Sequence, residues 1–345
     1  MLKKTVYFFT ILAFLIIVAF LLWIQIKRYK PEPVSLLQVH QEVRGQLSYG
    51  DSLDVFLWNI SYGGMPSSMD FFYSGGDKMI LPEVAYKENI KHISNLIEKH
   101  KSNTSIFLFQ NIDTASDRSY RINQYQFIKN ILPGFESAYC LNFSNPYIPV
   151  PLNEPIGQIY SGMSNMSKVH AASYNRISFN SKQNYYWPKR LFTSQKCMLV
   201  SSYPIQDKFL FVINAHLNSY DWQGRIRITQ LKQVYKIADS LYNEGHYVVV
   251  AGGWNMNPPG FKKYRIKHGY KAKPAFPEID TTSSFINWQF EYNSKIPTSR
   301  SLMEAYRHGA INSTIKDFFI CSPNITILEA ETINEEFQSS NHHPV

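Results

Sequence analysis

Apolar and polar positions are arranged along this chain in three ways, and each predicts a different element. Val6 to Ile26, VYFFTILAFLIIVAFLLWIQI, is apolar over the length of a bilayer and carries no charge before Lys27, with Trp23 suited to the interface. A cleaved signal peptide competes with this reading, but its apolar core would be shorter and no small-residue cleavage pattern precedes Lys27, so the run is read as an uncleaved anchor. From about Leu53 the runs shorten to strand length: Leu53 to Trp58, Ser105 to Gln110, Phe209 to Asn214, Val248 to Val250 and Ile315 to Cys321, bounded by breakers or polar residues. SPNITILEAETI, from Ser322, reads as a further strand. Between the strands the period changes to that of a helix, with Ile90, Ile93, Leu96 and Ile97 on one face of Tyr86 to His100. Leu231, Val234, Ala238 and Leu241 do the same within Arg225 to Glu244, which Gly245 stops. Asn145 to Gly157 holds four prolines and reads as a structured loop, because proline cannot donate within a central sheet. The pattern predicts a transmembrane anchor with basic flanks over residues 1–30, a linker over 31–50 extended by Pro31 and Pro33, and one α/β domain over 51–345.

Composition agrees with a large core and changes the reading of the charge. The chain has 345 residues, is 44% hydrophobic and 15% aromatic, and shows no internal repeat, so it can bury a substantial interior. Its net charge of +9 would suggest nucleic acid, yet Lys3, Lys4, Lys27, Arg28 and Lys30 flank the apolar run and no acid lies among residues 1–30. Without those five, 30 basic residues face 26 acidic ones, +4, so much of the basicity concerns lipid headgroups. The flanks are basic on both sides and leave orientation open. Cys140, Cys197 and Cys321 are odd in number and far apart, forming neither a disulfide framework nor a zinc spacing. Two stretches interleave aromatic and basic residues: Tyr185 to Val200, YYWPKRLFTSQKCMLV, and Phe261 to Lys273, FKKYRIKHGYKAK. Each reads either as a contact surface for an anionic partner, nucleic acid included, or as an ordinary solvated face.

The candidate chemistry lies where apolar runs end. Tyr247 to Gly260, YVVVAGGWNMNPPG, is a buried strand entering a turn in which Gly252 and Gly253 admit close approach and Asn255 supplies an amide that donates and accepts. Asn59, Asn111, His216, Asp317 and His342 stand at similar ends. His342 and His343 are adjacent, so in extended chain they point to opposite faces, and one of them is expected to face a site.

With these residues in place, Leu53 to Val345 resembles the endonuclease/exonuclease/phosphatase superfamily, and most closely its bacterial membrane-anchored branch. WNISYGG, MDFFYSGG, DTASDRSYRINQ, WPKRLF, AGGWNMNPPG and the closing NHHPV carry the resemblance by their order and spacing. It implies an α/β four-layer sandwich, two packed mixed β-sheets flanked by helices, with a phosphodiester-cleaving site at the strand ends and an Mg²⁺-type ion. By that resemblance Asn59 matches the asparagine near the metal, His216 the histidine of Asn-x-His, Asn255 the asparagine of Gly-Asp-x-Asn, Asp317 the aspartate that orients a histidine, and His342 the closing histidine.

The chain departs from the pattern at three acidic positions. Asn111 stands where Gln-Glu places the main metal carboxylate, Gly253 where Gly-Asp-x-Asn places the base, and Asn341 where Ser-Asp-His places an aspartate. A hard dication loses most of its attraction when carboxylates become amides, and loss of a general base alone costs about 10²–10⁴ in rate. The expectation is a membrane-anchored protein impaired or inactive in hydrolysis, without a bound cofactor, that retains a site for a phosphate-containing ligand. Two alternatives stay open: an active Mg²⁺-dependent phosphodiesterase whose metal is held by Asp113, Asp221 or Asp317, and a partner-binding module using Phe261 to Lys273. Export is common in the superfamily, which places the domain outside the cytoplasm as a single-pass membrane protein.

Overall fold

In the computed structural model, which describes residues 2–40, 43–180, 186–219, 221, 224–261, 277–308 and 312–345, strand alternation sorts the side chains into layers. Helix α1 is Leu2–Lys27, followed by strands β1 (Val34–Leu36) and β2 (Val55–Asn59), helix α2 (Glu83–His100), strand β3 (Ile106–Asp113) and helix α3 (Gln124–Ile131). Then come β4 (Glu136–Ile148), β5 (Gly157–Ser167), β6 (Ser173–Ser178), β7 (Cys197–Ile205) and β8 (Lys208–His216). Helix α4 (Arg225–Asn243) leads into β9 (Tyr247–Gly253), β10 (Gln289–Glu291), β11 (Ser299–Arg300), β12 (Ser313–Thr314) and β13 (Asp317–Cys321). One sheet of four strands runs β2-β3-β5-β4, one of seven runs β1-β6-β7-β8-β9-β13-β10, and β11 pairs with β12 alone. Both large sheets are mixed, with β2 parallel to β3 and β8 parallel to β9.

Successive side chains of a strand point to opposite faces, so parity decides the layer. Leu57, Ile106, Leu108 and Cys140 of the small sheet meet Leu199, Val212, Val249 and Ala251 of the large one. The alternate residues Phe56, Trp58, Phe107 and Phe109 turn outward beneath the stripe of Ile90, Ile93, Leu96 and Ile97 on α2. Ile213, Val248, Val250, Phe318 and Ile320 turn the other way, beneath Leu231, Val234 and Ala238 of α4. The result is the four-layer sandwich that the resemblance implies. Between the sheets the thiols of Cys140 and Cys197 lie 3.7 Å apart, and all three cysteines are free.

Three segments differ from the sequence reading, and a fourth lies almost wholly outside the described residues. The stretch read as a linker over 31–50 is partly built into the domain: β1 pairs with β6, and bridges join His40 to Ser137 and Gly45 to Val169. The edge of β6 was an open hydrogen-bonding row, and this segment covers it. Asn145 to Ile148 belongs to β4 rather than to a loop, because a register shift between Asn145 and Ile148 lets Pro146 sit where no ladder donor is needed. SPNITILEAETI forms no strand: both edges of β13 are taken by β9 and β10, so Ile325 and Ile327 pack on the core without a ladder. Of the basic stretch Phe261 to Lys273, only Phe261 lies within the described residues, where it is buried.

Helix α1 is long and apolar enough to cross a membrane, a property that a signal sequence near the N-terminus shares. Its last turns are not free: Ile24 is fully buried, and the ring of Phe20 meets that of Tyr147 on β4 at 6.2 Å.

Candidate functional site

The parity that builds the central layer also builds the site. Followed to the strand ends, the inner face continues as Asn59 after Leu57, as Gln110 after Leu108, as His216 after Asn214, and as Gly253 after Ala251. Asp317 opens β13 on the same face. Register places these residues side by side, with Asn59 opposite Gln110, His216 opposite Gly253 and Gly253 opposite Asp317. A layer that is apolar in its middle therefore becomes polar at one pole.

Local backbone features aim the remaining residues. A bulge between Gln110 and Ile112 leaves Asn111 extra, with φ of +52°, a left-handed value that asparagine tolerates. It swings the Asn111 amide onto Asn59, whose Oδ1 accepts from Asn111 Nδ2 at 3.0 Å and from the Ser61 amide at 3.0 Å. Asn255, also left-handed at +51°, donates through Nδ2 to the Leu217 carbonyl at 3.0 Å, and its own carbonyl accepts from Arg227 at 3.0 Å. It clamps the turns after β8 and β9 together.

The C-terminal segment closes the site beside β2. Leu57 and Val345 exchange backbone hydrogen bonds of 2.8 and 3.0 Å, and Ser340 Oγ donates to the Asn59 carbonyl at 2.8 Å. Asn341 Oδ1 accepts from Ser61 Oγ at 2.6 Å. His342 faces inward, its Nδ1 2.6 Å from Asp317 Oδ2. His343 faces away, stacked on Phe337 at 3.8 Å, donating through Nδ1 to the Pro297 carbonyl and accepting the Phe337 amide at Nε2. Burial pushes His343 down to about 4, as a neutral ring with both nitrogens in use requires.

One cation joins this set from an adjacent strand. Lys196, just before β7, places Nζ 3.2 Å from His216 Nδ1. An ammonium only donates, so His216 accepts at Nδ1 and keeps its proton on Nε2. Burial, then the charges of Lys196 and His342, holds His216 well below the usual imidazole range. Burial brings Lys196 to about 8, with Arg118 adding to the shift and Cys197 opposing it.

Behind the site an amide ladder ties the two sheets. Gln110 Nε2 donates to Asn214 Oδ1 at 2.9 Å, Asn214 Nδ2 to Asn165 Oδ1 at 3.0 Å, and Asn165 Nδ2 to Ser201 Oγ at 2.7 Å. Gln110 Oε1 and Asp317 Oδ1 are left without a hydrogen bond, and both border the gap above Gly253. A Cβ at position 253 would stand 2.6 Å from Gln110 Oε1, 3.2 Å from His216 Cδ2 and 3.3 Å from Asp317 Oδ1.

The residues do not fit a hard dication, which wants several carboxylate or carbonyl oxygens turned toward one point. Asn59 and Asn341 spend their oxygens on Ser61 and Asn111, and Asp317 spends one on His342. Asp113 gives both of its oxygens to Arg118, at 2.8 and 2.9 Å, and Asp221 Oδ2 accepts the Arg227 amide at 3.0 Å. Among the described residues no three His, Cys, Asp or Glu side chains converge. Ser61 and Lys196 were not singled out by the sequence reading, and Gln110 and Asn214 entered it only as the leading residues of the Gln-Glu and Asn-x-His positions. Ser61 was legible inside WNISYGG, whereas Lys196 has no local motif, since its partner His216 is 20 residues away.

No family model matches the sequence, and no curated protein does. Solved structures do match. An endonuclease/exonuclease/phosphatase from Bacteroides vulgatus aligns with TM-score 0.51 at 13% identity, covering 84% of this chain and 95% of its own. Truncated TDP2 from Caenorhabditis elegans aligns with TM-score 0.50 at 14% identity, covering 85% and 95%. The human Nocturnin catalytic domain, solved with a bound sulfate anion, gives TM-score 0.50 at 12% identity, covering 89% and 95%. The chain therefore has the endonuclease/exonuclease/phosphatase fold.

Proposed function

We propose that this is a membrane-tethered protein that binds a phosphate-bearing ligand at the strand-end site and does not hydrolyse it. The observation that carries the reading is the set of bonds at Asn59: its side-chain oxygen accepts from the Ser61 amide and from Asn111 Nδ2 while Ser61 Oγ donates to Asn341 Oδ1, so Gln110 Oε1 and Asp317 Oδ1 are the oxygens left free at the site, fewer than a hard dication needs. Hydrolysis also needs a base to take a proton from water, and position 253 offers no side chain. His216 does not replace it, because its Nδ1 lone pair already accepts from Lys196.

Anion binding draws on the same residues. Lys196 supplies a part-buried ammonium and His216 an Nε2–H, while His342 is held in place through Nδ1 by Asp317. Two of the positions that the superfamily pattern makes acidic are amides and one is glycine, so the site keeps its cations without the usual opposing charge. The sulfate in the Nocturnin domain supports a fold that accommodates a tetrahedral anion. The tether is α1, whose length and apolarity suit a bilayer.

The test is calorimetry on the full chain in detergent micelles. Inorganic phosphate should bind equally well with a chelator or with Mg²⁺ present, and Lys196→Met should remove most of the binding. Micromolar Mg²⁺ binding, or chelator-sensitive turnover of a generic phosphodiester abolished by His216→Ala, would contradict the proposal. Restoring the acids together, Asn111→Glu, Gly253→Asp and Asn341→Asp, should raise metal-dependent turnover well above that of the parent.

A further inference from the structure

Helix α1 and the strand-end site share one pole of the sandwich. β8 and β9 end there at His216 and Gly253, and β6, antiparallel to β7, ends there at Ser178 opposite Cys197. Ser178 binds the incoming chain directly, its amide donating to the Pro33 carbonyl at 2.8 Å and its hydroxyl to the Glu32 carbonyl at 2.9 Å. Six residues separate the end of α1 from β1, a reach of at most about 20 Å. The helix therefore leaves the domain beside the site.

Its contacts fix the height of this pole. Phe20, whose ring meets Tyr147, lies seven residues before Lys27, about 10 Å back along the helix. If the apolar run crosses a bilayer, Tyr147 and the loop after it reach the level of the lipid headgroups or below. That loop exposes Val150 and Leu152, the latter 86% exposed. The segment that leads to Leu191 exposes Tyr186, 84% exposed, and Trp187, residue types that favour membrane interfaces. The two segments leave neighbouring points of the fold, Asn145 Nδ2 near the end of β4 donating to the Leu191 carbonyl at 2.9 Å. Lys27, Arg28 and Lys30 follow the helix and Lys189 and Arg190 follow Trp187, while the acids of the adjoining segments are Glu32, Glu154 and Asp117, the last accepting the Gln158 amide and paired with Arg121. Among the described residues no salt bridge holds Arg28 or Arg190. An apolar tip ringed by cations is the pattern that anionic headgroups complement.

We infer that the loops carrying Val150, Leu152, Tyr186 and Trp187 form a surface that lies in the headgroup layer of an anionic bilayer, holding the site at the membrane face. This rests on the reading of α1 as a membrane anchor. The surface continues directly from the seat of that helix on β4, which is why lipid rather than a second protein is its occupant. The site at this pole is thereby presented to phosphate carried by lipid.

Spin labelling of the full chain in phosphatidylcholine/phosphatidylglycerol nanodiscs tests the inference. The native cysteines are buried, so single labels can be placed by Leu15→Cys in mid-helix, Leu152→Cys in the loop and Tyr49→Cys at the opposite pole, where Tyr49 packs on Tyr247. The labels at 15 and 152 should collide with oxygen and be shielded from a water-soluble nickel chelate, while the label at 49 meets nickel freely. A label at 152 as open to nickel as that at 49, with 15 still in hydrocarbon, overturns the surface and leaves the anchor standing. A label at 152 shielded from both reagents reports a protein partner and overturns it too. A label at 15 open to nickel overturns the anchor, and the inference with it.

Discussion

At the scale of the residue, Gly253 decides what the site can become. Its double-glycine setting was legible in the sequence as a place of close approach, but the atom that would crowd it, Gln110 Oε1, comes from the other sheet and no local pattern announces it. Gly253→Ala puts a Cβ 2.6 Å from that oxygen, and Gln110 is held by its bonds to Asn214 and the Ala215 carbonyl. The substitution should cost about 1–3 kcal/mol in denaturant titrations. Added to Gln110→Ala it should cost measurably less, by about 0.5 kcal/mol or more, because the clash has gone. The same crowding means that Gly253→Asp works only if Gln110 swings away. His343 makes the complementary case, since adjacency in the sequence says that only one histidine faces a site and not what the other does. Its folded value of about 4 lies below the ordinary 6.5, so its contribution to stability is full above pH 6.5 and is lost as pH falls toward 4. That limb should amount to about 3 kcal/mol and flatten in His343→Gln, measured as unfolding free energy against pH.

At the scale of the element, strands and helices with a clear period were legible and the pieces that cover edges were not. The stripes of α2 and α4 and the runs of β8 and β9 follow from apolar spacing alone, because burial against a neighbouring layer selects it. β1 was hidden in a proline-flanked stretch, since three residues with an exposed, half-buried, exposed pattern carry no period. The C-terminal segment was legible as chemistry through SSNHHPV but not as architecture. β2 is an edge strand of its sheet, and Leu57 trades backbone bonds with Val345, so the last residues blunt that edge. Removing residues 341–345 should lower stability and expose a pairing edge. The expected readout is concentration-dependent aggregation in light scattering, which the milder Asn341→Ala should not show.

At the scale of the whole molecule, the proposed anion site would set ligand affinity against stability, and Lys196 makes the conflict measurable. Position 196 could not be singled out from the sequence, because its meaning depends on β7 lying beside β8 and bringing Nζ to His216. In the folded protein the ammonium titrates near 8 instead of 10.5, chiefly because it is buried. A base whose folded value is depressed takes up fewer protons folded than unfolded between those two values, so stability climbs as pH rises from about 8 to 10.5. Phosphate binding runs the other way, for an anion needs the charged form and loses it above about pH 8. The wild-type chain should therefore bind phosphate more weakly yet resist denaturant better as pH is raised through this window. Lys196→Met should separate the two effects: weak binding at every pH, a higher melting temperature than wild type at pH 7, and no difference in stability once pH exceeds 10.5. A wild-type affinity that stays level from pH 7 to 10 would place the anion on other groups, with Lys196 then serving only to orient His216.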